Sequence, residues 1–301
     1  MHKIIVITGP TAVGKTKLSI ELAKKYDGEI INADAVQVYK GLDIGSAKVT
    51  EEEKEGIPHH LLDFKEVTEE YTIYHYQKDC REKIKDIQSR NKTPIIVGGT
   101  GLYIKAALYD YKLSEEKSTS TYDNLTNEEI YEELKKLDKD IIIDKDNRRR
   151  LIRAINYYKE NNESISKNKT NKLLYDVIFI GLTTDRQVLY DKINKRVDEM
   201  ISQGLLEEVK SFYDKGIKTK PLLNAIGYRE IYNYLDGNCT KEEAIEKIKQ
   251  NSRHYAKRQY TFFNHQLPIV WFETDYNNFN NTIKKVESYI ENNWLLLFFF
   301  I

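Results

Sequence analysis

Residues 9–18 read GPTAVGKTKL and follow directly on the apolar run Ile4, Ile5, Val6 and Ile7. Gly9-x-x-x-x-Gly14-Lys15-Thr16 is the P-loop pattern, and it stands where that pattern has physical meaning, after a strand-like run and before a helix-forming one. Glycines let consecutive backbone N–H groups turn onto phosphate oxygens, and the positive end of the following helix adds to the attraction. Lys15 would neutralise a terminal phosphate, and the Thr16 hydroxyl would hold Mg²⁺. The loop by itself predicts a polyphosphate and does not specify ATP.

Outward from the loop, four more runs of the same character recur: EIINAD (29–34), PIIVGG (94–99), DVIFIGL (176–182) and PIVWFE (268–273). Continuous apolar runs suit strands buried on both faces of a parallel sheet. Their alternation with helical patterns predicts right-handed crossovers and three layers. The fold class expected is therefore α/β, a P-loop NTPase-like three-layer fold with a parallel sheet. Ligands in such sheets bind outside the carboxyl ends of the strands, which directs attention to Thr8-Gly9, Asp34, Gly98-Gly99-Thr100 and Gly181. Helical patterns cover 185–214, 222–236 and 240–264.

Residues 111–172 interrupt this rhythm. They hold no strand-like run, and charge is segregated within them: ten acids and four bases from 115 to 144, then nine bases and three acids from 145 to 172. We read a helical insertion domain at 111–172, carried by a core formed from 1–110 and 173–294. The chain as a whole has 47 basic and 47 acidic residues, a balance that argues against a nucleic-acid partner only until this local separation is seen. Cys80 and Cys239 are too far apart for a metal-ligand spacing and read as reduced thiols. The N-terminus lacks the apolar length of a signal peptide. The closing run WLLLFFFI (294–301) is far short of the ~20 residues of a membrane span, and the role of 295–301 stays open.

Asp34 closes the second run, where a carboxylate has three possible uses: a base toward a substrate, an outer partner of Mg²⁺, or a cap on the next turn. The stretch AVQVYKGLDIGSAK (35–48) offers Gln37, Tyr39, Asp43, Ser46 and Lys48 to a planar ligand. In GIPHHLLDF (56–64) the adjacent histidines lack further ligands at suitable spacing and read as structural. PIIVGGTGLYIKAAL (94–108) is a second glycine turn, with Thr100 facing the same crevice. In NRRRLIRAINYY (147–158) an amphipathic helix is expected, with Leu151, Ile155 and Tyr158 on one face and Arg149 and Arg153 opposite. Lys247, Lys249, Arg253, Lys257 and Arg258 follow one another with no acid among them, interleaved with Tyr255 and followed by Tyr260, Phe262 and Phe263. Unpaired RNA bases stack on aromatics and arginine while lysine meets phosphates. The residues alone leave open a small-molecule or nucleoside kinase and a non-catalytic RNA-binding protein.

Seven motifs in order, GPTAVGKT, DAVQVYKGLDIGSAK, GIPHHLLD, GGTGLYIKAAL, NRRRLIRAINYY, AIGYREI and RHYAKRQYTFF, resemble those of tRNA dimethylallyltransferases, the IPP transferase family, across residues 3–272. The resemblance implies transfer of a dimethylallyl group from dimethylallyl diphosphate to N6 of the adenosine 3′-adjacent to the anticodon, in tRNAs reading codons that start with U. It implies that Gly9, Pro10, Thr11, Ala12, Val13, Gly14, Lys15 and Thr16 hold the diphosphate, with Mg²⁺ on Thr16. Asp34 would accept from the adenine amine, Thr100 would face the oxygen bridging prenyl carbon and phosphate, and Arg229 would reach the diphosphate. Asp34, Ala35, Val36 and Gln37 would meet the extruded base, and Arg149, Arg150, Leu151, Ile152 and Arg153 would contact tRNA, joined by Arg253, Lys257 and Arg258. A monomer acting in the cytoplasm is expected, without a membrane partner. Three positions depart from the family pattern: Ala35 replaces the usual Ser, Val49 the usual Pro, and IDKDNRRR lacks the His-Pro that precedes the arginine-rich helix. The resemblance is to the bacterial type, for which no C-terminal zinc finger is expected.

Overall fold

The computed structural model describes residues 3–113, 122–167 and 171–295. They divide into two compact units, 1–107 with 175–301, and 108–174.

The larger unit is built on six parallel strands: β1 (Ile4–Thr8), β2 (Gly28–Asn32), β3 (His59–His60), β4 (Thr93–Val97), β5 (Val177–Thr183) and β6 (Val270–Glu273), in the order β3-β2-β4-β1-β5-β6. All five residues of β1 are buried although their side chains alternate in direction, so both faces of the sheet are covered. From β1 the chain first builds outward through β2, β3 and β4, then reverses to β5 and β6. The carboxyl end of β1 is thus the switch point at which an open α/β sheet forms its crevice.

Helices α1 (Lys15–Lys25), α2 (Glu51–Lys54), α3 (Ile73–Ser89) and α4 (Gly101–Leu108) belong to the first half of the sheet. Leu18 and Leu22 of α1 share one apolar cluster with Ile5, Ile7, Ile95, Ile180 and Leu182 of the strands. The five expected strands form within a residue or two of their runs. The sixth, β3, is the histidine pair: His60 Nε2 lies 2.7 Å from Glu29 Oε2, and Arg90 completes the pairing of that buried carboxylate. Arg90 and His60 hold Glu29 down at about 2, against the opposing effect of its burial. Among the described residues no cluster of three His, Cys, Asp or Glu suits a metal.

In the smaller unit α5 (Asn127–Leu137) and α6 (Arg148–Asn161) pack as a pair. The Thr126 hydroxyl and the Glu129 carboxylate cap α5 reciprocally. Ile130, Leu134, Leu151, Ile152, Ala154 and Ile155 form this unit's own core. Arg149 and Arg150 are exposed and Arg153 is half-buried. One face reading is corrected: Tyr157, not Tyr158, turns inward.

After β5 the helices are α7 (Arg186–Ser202), α8 (Leu205–Tyr213), α9 (Lys220–Asn224), α10 (Tyr228–Leu235), α11 (Lys241–Gln266) and, beyond β6, α12 (Phe279–Leu295). The expected helices at 185–214 and 222–236 are each broken, at Gly204 and Gly227, whose φ of 102° and 97° no helix accommodates. No helix among the described residues is long and apolar enough to cross a membrane. Residues 296–301 of the closing apolar run lie outside the described residues.

Candidate active site at the carboxyl edge of the sheet

Three strand ends and two helices enclose the crevice above β1 and β4. The phosphate loop leaves β1 at Thr8 and enters α1 through Gly14, which has φ 93° and lies so close to Phe279 that a Cβ there would stand 2.5 Å from the ring. Glycine is required on both counts. Lys15 Nζ folds back to donate to Gly9 O at 3.1 Å and Pro10 O at 2.6 Å. The Thr16 hydroxyl lies on an exposed residue at the start of α1.

The β2 and β4 ends are locked together beside it. Ala33 N donates to Val97 O (2.7 Å), Thr100 N to Ala33 O (3.0 Å), and Ala35 N to Thr100 Oγ1 (3.1 Å). A Cβ on Gly98 would meet Ala33 O at 2.2 Å, so the close approach of the two turns depends on that glycine. Asp34 takes one of its possible uses, the cap, and keeps one oxygen uncommitted. Its Oδ1 accepts from Val36 N at 2.9 Å and Gln37 N at 3.3 Å, which caps the turn, while Oδ2 has no hydrogen-bond partner among the described residues. Ala35 thus offers no hydroxyl to this turn, and the Thr100 hydroxyl engages its backbone instead.

Charge ties Asp34 to the phosphate loop. Lys15 is pushed down to about 7, first by burial and then by the neighbouring Arg196 guanidinium, with the Asp34 carboxylate opposing both. Arg196, on α7, donates through Nη1 to Thr11 Oγ1 at 2.8 Å. Two cations therefore face each other with too little negative charge between them, an arrangement that favours an entering polyanion. Arg196 was not legible in the sequence: KINKRV sits in a helix full of charges, and nothing local separates a buried arginine from a solvated one.

Arg229 is paired with its neighbour in the chain. Its Nε and Nη2 both donate to Glu230 Oε1 (3.2 and 2.7 Å), an acceptor shared with Asn251. The adjacent Glu230 carboxylate thus orients a half-exposed Arg229, while Arg196 is the arginine that contacts the phosphate loop itself. Leu151 and Ile152 are corrected as RNA contacts, since at 0% and 5% exposure their side chains fill the core of the smaller unit.

The remaining expected residues divide in the same way. Gln37 Nε2 donates to Ser46 O and Ala47 O, Ser46 Oγ to Leu42 O, and Lys48 pairs with Asp43 and Asp63 while also donating to Tyr39 O. These side chains hold the 35–48 loop together through its own backbone and charges. The loop is further held by Glu208 of α8, whose carboxylate accepts from Asp43 N (3.1 Å), Ile44 N (2.8 Å), Gly45 N (3.1 Å) and the Tyr228 hydroxyl.

On α11, Lys257 and Arg258 are exposed, and Arg253 is half-buried and bonded to Asn194. The aromatics between and after them turn inward. Phe263 is core, Tyr260 meets Thr183, and Phe262 covers Gly101. Gln259 Nε2 donates to Gly99 O at 3.0 Å, and the Tyr255 hydroxyl lies beside Gly99 and Thr100, where burial and Asp34 raise it well above the ordinary tyrosine range.

Comparison with known proteins agrees with this geometry. Residues 37–266 match the sequence model of a family described as IPP transferase. The chain is 50% identical over 300 residues to a tRNA dimethylallyltransferase of Anoxybacillus flavithermus, covering 96% of each protein. The chain belongs to the IPP transferase family. Solved IPP transferases share its fold. The tRNA isopentenylpyrophosphate transferase of Staphylococcus epidermidis superposes with a TM-score of 0.75 at 39% identity, over 97% of this chain and 100% of that one. A eukaryotic dimethylallyltransferase described as acting on tRNA gives 0.88 at 31% identity, over 98% of this chain and 80% of that one. In this IPP transferase the P-loop α/β core is accordingly as the strand runs predicted.

Proposed function

We propose that this IPP transferase moves a dimethylallyl group from dimethylallyl diphosphate to N6 of the adenosine 3′-adjacent to the anticodon, in tRNAs reading codons that begin with U. The observation that carries the reading is the crevice itself, where an uncommitted Asp34 oxygen shares one charged space with Lys15, Arg196 and the phosphate loop.

An adenine amine is a weak nucleophile because its lone pair is delocalised into the ring. As N6 bonds to the prenyl carbon and the carbon–oxygen bond to diphosphate breaks, the amine proton becomes acidic and passes to Asp34 Oδ2. Negative charge grows on the departing diphosphate, where Lys15, Arg196 and the loop N–H groups stabilise it. Thr100 stands between the two turns, suited to the bridging oxygen. Thr16 would hold Mg²⁺ together with diphosphate oxygens, and the cation, when bound, lowers the charge of the leaving group. The target base must leave its stack to reach Asp34, with residues 34–37 receiving it. A kinase is not favoured: a second glycine turn and an arginine-bearing insertion have no task in it. We further infer that the enzyme works as a monomer in the cytoplasm.

The test is incubation with Mg²⁺ and an anticodon stem-loop carrying adenosine at the target position, supplied in parallel with dimethylallyl diphosphate and with ATP. A product heavier by one dimethylallyl unit, formed only with the first donor, is expected. Phosphorylated product formed from ATP instead would reverse the assignment.

The exposed Arg149 and Arg150 support RNA contact by the insertion. Reversing both to Glu is expected to weaken stem-loop binding about 10- to 100-fold and to flatten its dependence on salt by roughly 0.7–0.9 for each phosphate no longer neutralised. Filter binding across a salt series measures both, and an unchanged slope would remove the insertion from the RNA site.

A further inference from the structure

We infer that the segment from Thr274, just after β6, to Phe279, the first residue of α12, is a working part of the diphosphate cradle, with Thr274 and Tyr276 as its positioning residues. The inference rests on the reading of Gly9–Thr16 as a diphosphate site. A trans peptide points its carbonyl and the following N–H in opposite directions. The Thr274 hydroxyl donates to Val13 O at 3.0 Å in a buried setting, and the Tyr276 hydroxyl donates to Ala12 O at 3.2 Å. Each carbonyl drawn to this strap turns the next N–H, of Gly14 or of Val13, to the other side, as an anion-binding loop requires.

Ala12 makes the strap necessary. It is not glycine, yet its φ is 68°, a left-handed state that a residue with a Cβ keeps only where its surroundings over-determine it. Its carbonyl is one of the two that the strap holds, and Phe279 closes over the adjoining Gly14.

The strap is itself fixed at both ends. Asp275 accepts from Asn277 N, Asn278 N and Asn281 Nδ2, and its own N–H donates to Thr282 Oγ1. The Tyr276 ring carries Lys192 Nζ at 3.9 Å from its centroid. Lys192 lies one turn before Arg196 on α7, so one aromatic side chain bridges the loop and the helix that brings the second cation. Burial raises the Tyr276 hydroxyl above the usual range.

The experiment titrates inorganic diphosphate calorimetrically into wild type, Tyr276→Phe, Thr274→Val, the double variant and Thr274→Ser. Each single substitution is expected to weaken binding about 3- to 10-fold and the pair about 10- to 100-fold, with Thr274→Ser restoring affinity to within about 2-fold. KM for dimethylallyl diphosphate should rise more than kcat falls, while stem-loop affinity stays at the wild-type value. Wild-type affinity for diphosphate in the double variant, or an equal loss of stem-loop binding, overturns the inference. A wild-type protein that takes up no diphosphate overturns instead the reading of the loop, and the strap's role with it.

Discussion

Asp34→Asn lowers kcat about 10²- to 10⁴-fold and leaves stem-loop affinity within a few-fold of wild type. The choice of asparagine follows from the division of labour between the two carboxylate oxygens. Oδ1 caps the turn through Val36 N and Gln37 N, and an amide oxygen performs that task equally well. Oδ2 is the oxygen without a partner among the described residues, and replacing it with an amide nitrogen removes the proton acceptor alone. Asp34→Ala would also strip the cap, at a cost on the order of 1 kcal/mol, so its loss would mix chemistry with disorder in the loop that receives the base. Single-turnover kinetics beside stem-loop binding separates the two. A kcat within about ten-fold of wild type for Asp34→Asn would remove proton transfer from the residue's role.

Arg196→Gln is the second large effect, an expected loss of about 10²- to 10³-fold in kcat/KM for dimethylallyl diphosphate. Glutamine retains a donor for Thr11 Oγ1 and removes the charge. The substitution also acts on Lys15, which burial and Arg196 together bring down to about 7. In the free wild-type enzyme Lys15 therefore loses its proton as pH rises through about 7, and kcat/KM for the prenyl donor falls over that range. Removing Arg196 takes away one of the two lowering influences, so Lys15 keeps its proton to higher pH and the descending limb moves in the alkaline direction. A pH profile of kcat/KM in both proteins checks the sign. A limb that stays in place would uncouple the two cations.

The chain wrote its architecture in local terms and its electrostatics in distant ones. The apolar runs of β1, β2, β4 and β5 and the glycines of the two turns are legible because strand burial and phosphate approach each impose a pattern on neighbouring residues. β3 escaped because two paired histidines make no run. The helix breaks at Gly204 and Gly227 were visible as glycines, but only their left-handed backbone separates a break from a tolerated helical glycine. Arg196 and Arg229 show the limit most sharply. Each is an arginine on a helix, and only the folded structure shows that one reaches Thr11 of the phosphate loop from 185 residues away while the other pairs with the adjacent Glu230. Thr274 and Tyr276 carry no motif, and they meet the loop from more than 260 residues along the chain.

The grip of Glu208 on the 43–45 backbone has a consequence for biosynthesis. A ribosome that has delivered the phosphate loop, Asp34 and Thr100 has yet to make Arg196, Thr274 and Tyr276, and β1 still lacks its partner β5 along one edge. The turn around Gly45 has no carboxylate to receive it until residue 208 emerges, and Tyr228 follows later still. The contacts that fix this crevice are therefore long-range ones, which form late because their loop-closure entropy must be met first.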